Sequence, residues 1–205
     1  KTKTAAKNHI TRYTYYNNGL LHEEKREKDP STIYTTTYVY DTNGNPLTVT
    51  NAENHTTTYT YNALNHLLEQ KDANNYSTYY TYDKNGNLKT IKDAKNHLTT
   101  YNYDLSDRVY NITCEYSEQI NYTYDKMSSL KTKTDQNGDI TTYDYNDVYR
   151  LETKTNQDTS TTTYAYYDDG TLKDVTDVSG TIHYDYNEWN ELTQVTYPDN
   201  VILSY

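Results

Sequence analysis

The sequence predicts an all-β fold: tandem antiparallel β-hairpin repeats forming one long curled sheet, a spiral or partial shell. Three observations predict it. A tyrosine-marked unit recurs about every 21 residues, each unit carries two turn signals, and the chain is too poor in apolar residues for a thick core. Of 205 residues only 33% are apolar, Phe is absent, and 28 Tyr supply nearly all the aromatic surface. Disordered chains share such low hydrophobicity, but they lack the aromatic and β-branched residues that Tyr and Thr provide here. Those residues suit a pleated, half-buried surface.

The marker is Tyr-x-Tyr, as in Tyr59 and Tyr61, Tyr80 and Tyr82, Tyr101 and Tyr103, Tyr122 and Tyr124, or Tyr143 and Tyr145. Nine second tyrosines, Tyr15, Tyr40, Tyr61, Tyr82, Tyr103, Tyr124, Tyr145, Tyr166 and Tyr186, are separated by 25 residues, then by 21 six times, then by 20. Six residues after the second Tyr stands an aliphatic residue such as Leu67, Leu88 or Leu130, except where Pro46 takes the place. One turn follows the tyrosines, as in Asp41-Thr42-Asn43-Gly44 and Asp83-Lys84-Asn85-Gly86. Asn-Gly between strand-like runs is a hairpin signal because both residues tolerate positive φ. A second turn lies about ten residues on and ends at Gly138 or Gly180, or at Asn54, Asn75 or Asn96 in the same slot. Asn is among the few other residues that enter the left-handed region readily.

Each unit is therefore strand, turn, strand, turn, with strands of about six residues. Connections this short join only antiparallel neighbours. Residues i and i+2 of a strand share a face, so the sheet has a tyrosine face. The apolar pairs Leu88 and Ile91, Leu172 and Val175, and Leu192 and Val195 are three apart, which puts the members of each pair on opposite faces unless a bulge intervenes. Either face is a candidate for the interior, and nothing in the sequence explains the exclusion of Phe.

Residues 1–205 are expected to form a single array of nine units, with Tyr205 as the first tyrosine of a tenth, in a fragment of a larger protein. Neighbouring repeats are then each unit's main partners, and uncapped strand edges invite self-association. In the long first interval, the charge-dense run from Glu23 through Pro30 is expected to be a longer, solvated hairpin connection.

A formal charge of −10 argues against nucleic-acid binding, which rests on Lys and Arg neutralising phosphates. No apolar run is long enough to be a transmembrane span. No nucleophile elbow, zinc helix, P-loop or dinucleotide fingerprint is present, so no catalytic residue, cofactor or metal is expected. His9, His55 and His97 follow equivalent turn positions but are spaced too far apart to share an ion. Asp41-Thr42-Asn43-Gly44-Asn45 lacks the later ligands of a calcium loop. Asn54, Asn75, Asn111 and Asn121 head glycosylation sequons at about the frequency chance supplies. The one Trp, Trp189, replaces a small turn residue and is either a contact for sugar or a partner, or an aromatic packed at the sheet edge.

The run Tyr80-Thr81-Tyr82-Asp83-Lys84-Asn85-Gly86-Asn87-Leu88, with Asp93 downstream, resembles the YD-repeat, or Rhs-repeat, family. Thr196-Tyr197-Pro198-Asp199-Asn200 resembles that family's Tyr-Pro-Asp-Gly turn. The resemblance implies a β-shell in an exported or cell-surface protein that encloses or presents a C-terminal toxic domain. An extracellular adhesion or carbohydrate-binding module and an extracellular fibre subunit are the alternative functions.

Overall fold

The computed structural model describes residues 2–4, 10–29 and 31–205; His9 and Pro30 lie outside them. Two compact units divide the chain, Lys1–Tyr101 and Asn102–Tyr205. In the first, the strands are β1 (Thr2–Thr4), β2 (Ile10–Tyr15), β3 (Leu21–Asp29), β4 (Thr32–Tyr40), β5 (Pro46–Thr50), β6 (Thr56–Tyr61), β7 (Leu67–Lys71), β8 (Ser77–Tyr82), β9 (Leu88–Lys92) and the start of β10 (Leu98–Tyr103). The second holds β11 (Val109–Thr113), β12 (Gln119–Tyr124), β13 (Leu130–Thr134), β14 (Ile140–Tyr145), β15 (Leu151–Thr155), β16 (Thr161–Tyr166), β17 (Leu172–Asp177), β18 (Gly180–Tyr186), β19 (Leu192–Thr196) and β20 (Ile202–Ser204). Within each unit every strand pairs antiparallel with the next, as β6 does with β7 and β14 with β15. The all-β hairpin array expected from the repeat is the observed fold.

No thick core forms. Val195, 4% exposed, is the buried hydrophobic residue among those described, and the accessible surface is 14293 Å². A compact chain of 24.1 kDa would expose roughly 10,000 Å². Stability therefore comes from side chains lying across neighbouring strands and from closed hydrogen-bonding in the turns.

The bulge that the apolar spacing required is present and recurs. In β8 and β9, Tyr82 faces Leu88 and Thr81 faces Thr90, so Lys89 is the extra residue. Tyr80 then faces Ile91. Directly opposed residues share a face, so the bulge brings Leu88 and Ile91 together under the two tyrosines. The same shift follows the x residue of Tyr-x-Tyr in eight described hairpins. Pro46 takes the aliphatic place opposite Tyr40 because, as first residue of β5, it needs no ladder donor.

The turns differ in one respect from the Asn-Gly expectation. Only the second residue of the dipeptide has positive φ, 90° at Gly44 and 91° at Gly86. The loop is a type I turn closed by a left-handed residue. The Asp41 N–H donates to the Asn45 carbonyl at 2.9 Å, and the Gly44 N–H to the Asp41 carbonyl at 3.2 Å. Oδ1 of Asp41 accepts the N–H groups of Asn43 and Asn45 at 2.9 and 2.8 Å. Second turns are built the same way: Asp135 accepts from Asn137 and Asp139, with Gly138 at φ 87°. This is why Asp or Asn opens nearly every turn. The interval of 20 has its own cause, since Asp177 pairs directly with Gly180 and only two residues close that hairpin.

Among the described residues, three turns place a bulky residue at positive φ: Tyr116 at 59°, Tyr149 at 60° and Thr159 at 66°. The Cβ then crowds the following carbonyl, at a cost of about 1–2 kcal/mol. Thr159→Gly is expected to raise the thermal midpoint, with a gain of about 1 kcal/mol in chemical denaturation. An unchanged midpoint would show that the turn already relaxes around the threonine.

The charge-dense run is not a loop, which corrects the sequence reading. Residues Glu23–Asp29 belong to β3 and pair with β4 from Glu23↔Thr37 to Asp29↔Thr32. Alternating charge holds it as a strand: Lys25 meets Glu23 at 2.8 Å, Arg26 meets Glu24 at 2.7 Å, and Arg12 of β2 meets Glu27. The four extra residues lengthen both strands of one hairpin to nine residues.

Candidate functional site: the tyrosine stitch and the first-turn edge

In five repeats the second tyrosine reaches back into the preceding one. Its hydroxyl donates to the carbonyl of the previous unit's aliphatic position: Tyr61 to Pro46 at 3.0 Å, Tyr82 to Leu67 at 3.0 Å, Tyr124 to Val109 at 2.7 Å, Tyr145 to Leu130 at 3.0 Å, and Tyr166 to Leu151 at 2.8 Å. Pairing of β7 with β8 starts at Glu69↔Tyr79, so the Leu67 carbonyl lies beyond the ladder. Phe would leave that carbonyl without this donor, which gives the second position its reason for Tyr; the structure gives none for the first. Burial pushes these hydroxyls above the ordinary tyrosine pKa, so they remain donors across the neutral range.

A second set of contacts recurs every two repeats. The residue before the aliphatic position lies over the next second tyrosine. His66 is 4.5 Å from the Tyr82 ring, while the guanidinium carbons of Arg108 and Arg150 are 4.5 and 5.6 Å from Tyr124 and Tyr166. Each large side chain needs a small residue in the next turn. A Cβ on Gly86 would come within 3.3 Å of His66, and one on Gly170 within 2.5 Å of Arg150. At the intermediate copy, Arg108 Nη1 donates to Ser128 Oγ at 3.0 Å. Where Tyr opens the turn instead of Asp or Asn, its hydroxyl also crosses to the next unit: Tyr16 bonds the Tyr38 carbonyl at 2.9 Å and Tyr167 the Tyr184 carbonyl at 3.2 Å.

His183 of β18 holds the last repeats through another set of groups. Its Nδ1 lies 2.6 Å from Asp174 Oδ1 on β17, and its Nε2 lies 3.2 Å from Asp185 Oδ1 and 3.5 Å from the Tyr167 hydroxyl. Gln194 of β19 donates to the other Asp185 oxygen at 3.3 Å. The carboxylates sit on opposite sides of the ring and do not converge on an ion. Only the imidazolium can donate to both. The bond to Asp174, reinforced by Asp185, raises its pKa against the opposing effect of burial. A raised folded pKa stabilises below the unfolded value of about 6.5, and that contribution is lost as pH rises through the folded value. The thermal midpoint of His183→Gln should therefore fall furthest below wild type at mildly acidic pH, and the gap should narrow on alkalinisation. A constant gap would mean the ring acts by packing alone.

Trp189 occupies the third position of its turn, with its backbone N–H donating to Asn187 Oδ1 at 2.9 Å, and is 78% exposed. It stands off the tip and is not packed along the sheet edge, because the middle of a type I turn projects outward. Leu105, Met127 and Val148, exposed at the tips of other first turns of the same unit, are side chains the sequence reading passed over. Their signal was position: each falls between the Asp or Asn that opens the turn and the left-handed residue. Gly44, Gly86, Gly138 and Gly180 all have positive φ. Among the second-turn histidines, His55 pairs with Glu53 at 3.4 Å and His97 with Asp93 at 3.1 Å, each within its own turn. Of the sequon residues, Asn54 and Asn75 are exposed, whereas Asn111 is 8% exposed and bonded to Asn102 and Asn121.

The RHS Repeat family signature matches residues 40–77 and 166–202. No curated protein sequence matches the chain. Among solved structures, the TcdB2-TccC3-Cdc42 crystal structure is similar at 17% identity with a TM-score of 0.65, covering 95% of this chain. TcdB2-TccC3 without its hypervariable C-terminal region gives 17% and 0.66 over the same share, and the Tc holotoxin pore of Photorhabdus luminescens gives 18% and 0.64. The chain spans 12% of the length of each of these solved chains, and the likeness establishes a shared fold. The signature matches at two separated stretches, and the same bulge, turn and tyrosine geometry recurs in the repeats between them, so the chain resembles the RHS repeat family.

Proposed function

We propose that this chain is a structural repeat segment of an exported or cell-surface RHS-repeat protein, forming part of a β-shell that encloses or presents a C-terminal toxic domain. The observation that carries this reading is the tyrosine stitch: in five units the second tyrosine finds its acceptor on the unit before it, which suits an array built as wall material. The shared fold with TcdB2-TccC3 supports it, as does the large two-sided surface, which suits a wall more than a freestanding globule. Winding of the array around a cavity, export, and the presence of cargo are parts of this proposal.

The test uses the full-length protein that contains this segment. Under limited proteolysis, any segment downstream of the repeats should resist cleavage while the array is folded, and become sensitive at the denaturant concentration where the array melts. Downstream sequence digested at the same rate in both states would overturn enclosure.

A further inference from the structure

We propose that the first-turn edge of the second unit is a docking surface for a cationic amphipathic helix of a partner protein. Five consecutive first turns, opened by Asp104, Asp125, Asn146, Tyr167 and Asn187, lie along this edge. Leu105 is fully exposed, Met127 59%, Val148 63%, Tyr149 56% and Trp189 78%, so four of the five turns offer a large apolar side chain to solvent. Two pairs of neighbouring turns are tied together, Arg108 to Ser128 at 3.0 Å and Arg150 to the Tyr167 carbonyl at 3.4 Å, which holds their tips along the edge. Large exposed apolar groups gathered along one edge suit an interaction surface.

Charge specifies the partner's sign. The five turns carry eight carboxylates against three basic side chains, of which Arg108 is held by Asp104 at 2.6 Å and Arg150 lies over Tyr166. A partner must therefore bring apolar groups flanked by Lys or Arg. An anionic membrane is disfavoured by the same charges.

Backbone chemistry specifies the partner's form. Most turn N–H groups are already taken: in the first turn, the Asp104 N–H by the Arg108 carbonyl, the Asp107 N–H by the Asp104 carbonyl, and those of Ser106 and Arg108 by Asp104 Oδ1. The second-position N–H groups of successive turns lie two strands apart, roughly 10 Å, too far apart for the ladder of an added strand. A helix, whose own backbone is satisfied, suits such a rim. Successive first turns are two strands apart, roughly 10 Å, and seven residues of helix advance about 10.5 Å. Apolar residues at heptad spacing would thus meet successive tips.

The chain contains one Trp, so Trp189 emission reports this edge directly. The probe is a synthetic helix of about 28 residues, long enough to span the rim, with heptad-spaced Leu and Lys at the flanking positions. A saturable blue shift is expected, weakened by salt, and about tenfold weaker in the Leu105→Ser, Met127→Ser, Val148→Ser triple variant. These tip residues hold no strand together, and far-UV circular dichroism checks that the variant remains folded. Equal binding of a peptide with the same composition but shuffled leucines, or undiminished binding by the triple variant, would overturn the proposal. So would a Trp189 shift produced by anionic vesicles or by raising the concentration of the chain alone. Because this rim is independent of enclosure, either reading can fail without the other.

Discussion

Replacing Tyr124, Tyr145 and Tyr166 together by Phe is expected to destabilise the second unit by about 1.5–4.5 kcal/mol, from a typical net loss of about 0.5–1.5 kcal/mol per hydrogen bond. Each substitution keeps the ring against its neighbours and removes one bond, at 2.7, 3.0 and 2.8 Å respectively. The effect should be close to additive, because the three carbonyls belong to different repeats. Urea titration followed by circular dichroism measures it. The same change at the first tyrosines, Tyr122, Tyr143 and Tyr164, should cost much less. Equal losses at the two sets would mean the stitch is incidental and that ring packing alone selects tyrosine.

Gly180→Val is expected to cost about 2–4 kcal/mol, combining strain of a β-branched residue at positive φ with overpacking. At φ 122° the backbone is already closed to most side chains, and a Cβ there would lie 2.6 Å from Pro198 Cβ and 3.0 Å from its Cγ. The proline is part of the next second turn, so neither ring nor turn can retreat without opening the contact between hairpins. Gly138→Ala makes the control. Its φ of 87° carries the conformational penalty, but nothing lies within 4 Å of the new methyl group. Its expected loss is about 1–2 kcal/mol. If both variants melt alike, the close approach of Pro198 has no energetic weight.

These two expectations show what a single sequence discloses and what it withholds. Strand bounds were legible because Tyr-x-Tyr, the aliphatic residue six positions on and the two turn slots recur in phase; β9 begins at Leu88 and β14 ends at Tyr145 as the repeat predicts. The bulge was legible only as a condition, since three-residue spacing of Leu88 and Ile91 needs one to share a face and nothing local marks Lys89 as the extra residue. The reason for Tyr over Phe was out of reach, because the acceptor lies fifteen residues back, on a carbonyl that every amino acid possesses. The strand from Glu23 to Asp29 was misread because solvated charge usually marks a loop, and here the charges pair along the strand, Lys25 with Glu23 and Arg26 with Glu24, and across to Arg12 of β2. Trp189 drew notice for its chemistry, while Leu105 and Met127 did not, since an aliphatic residue in a turn carries meaning only once its neighbours along the rim are known.

The contacts of His66, Arg108 and Arg150 set the quantum in which this array can gain or lose length. Each covers the next tyrosine and needs a small residue in the following first turn, and that demand returns only every second repeat. Excision of one 21-residue copy, the one containing Asp125–Tyr145, would bring Arg108 against the turn of Tyr149 in place of Ser128. Excision of two copies would restore a small partner, Gly170, in the same slot. Loss of that one copy should thus be tolerated less well than loss of the two copies from Asp125 through Tyr166, a dependence on paired steps that the simple 21-residue rhythm conceals.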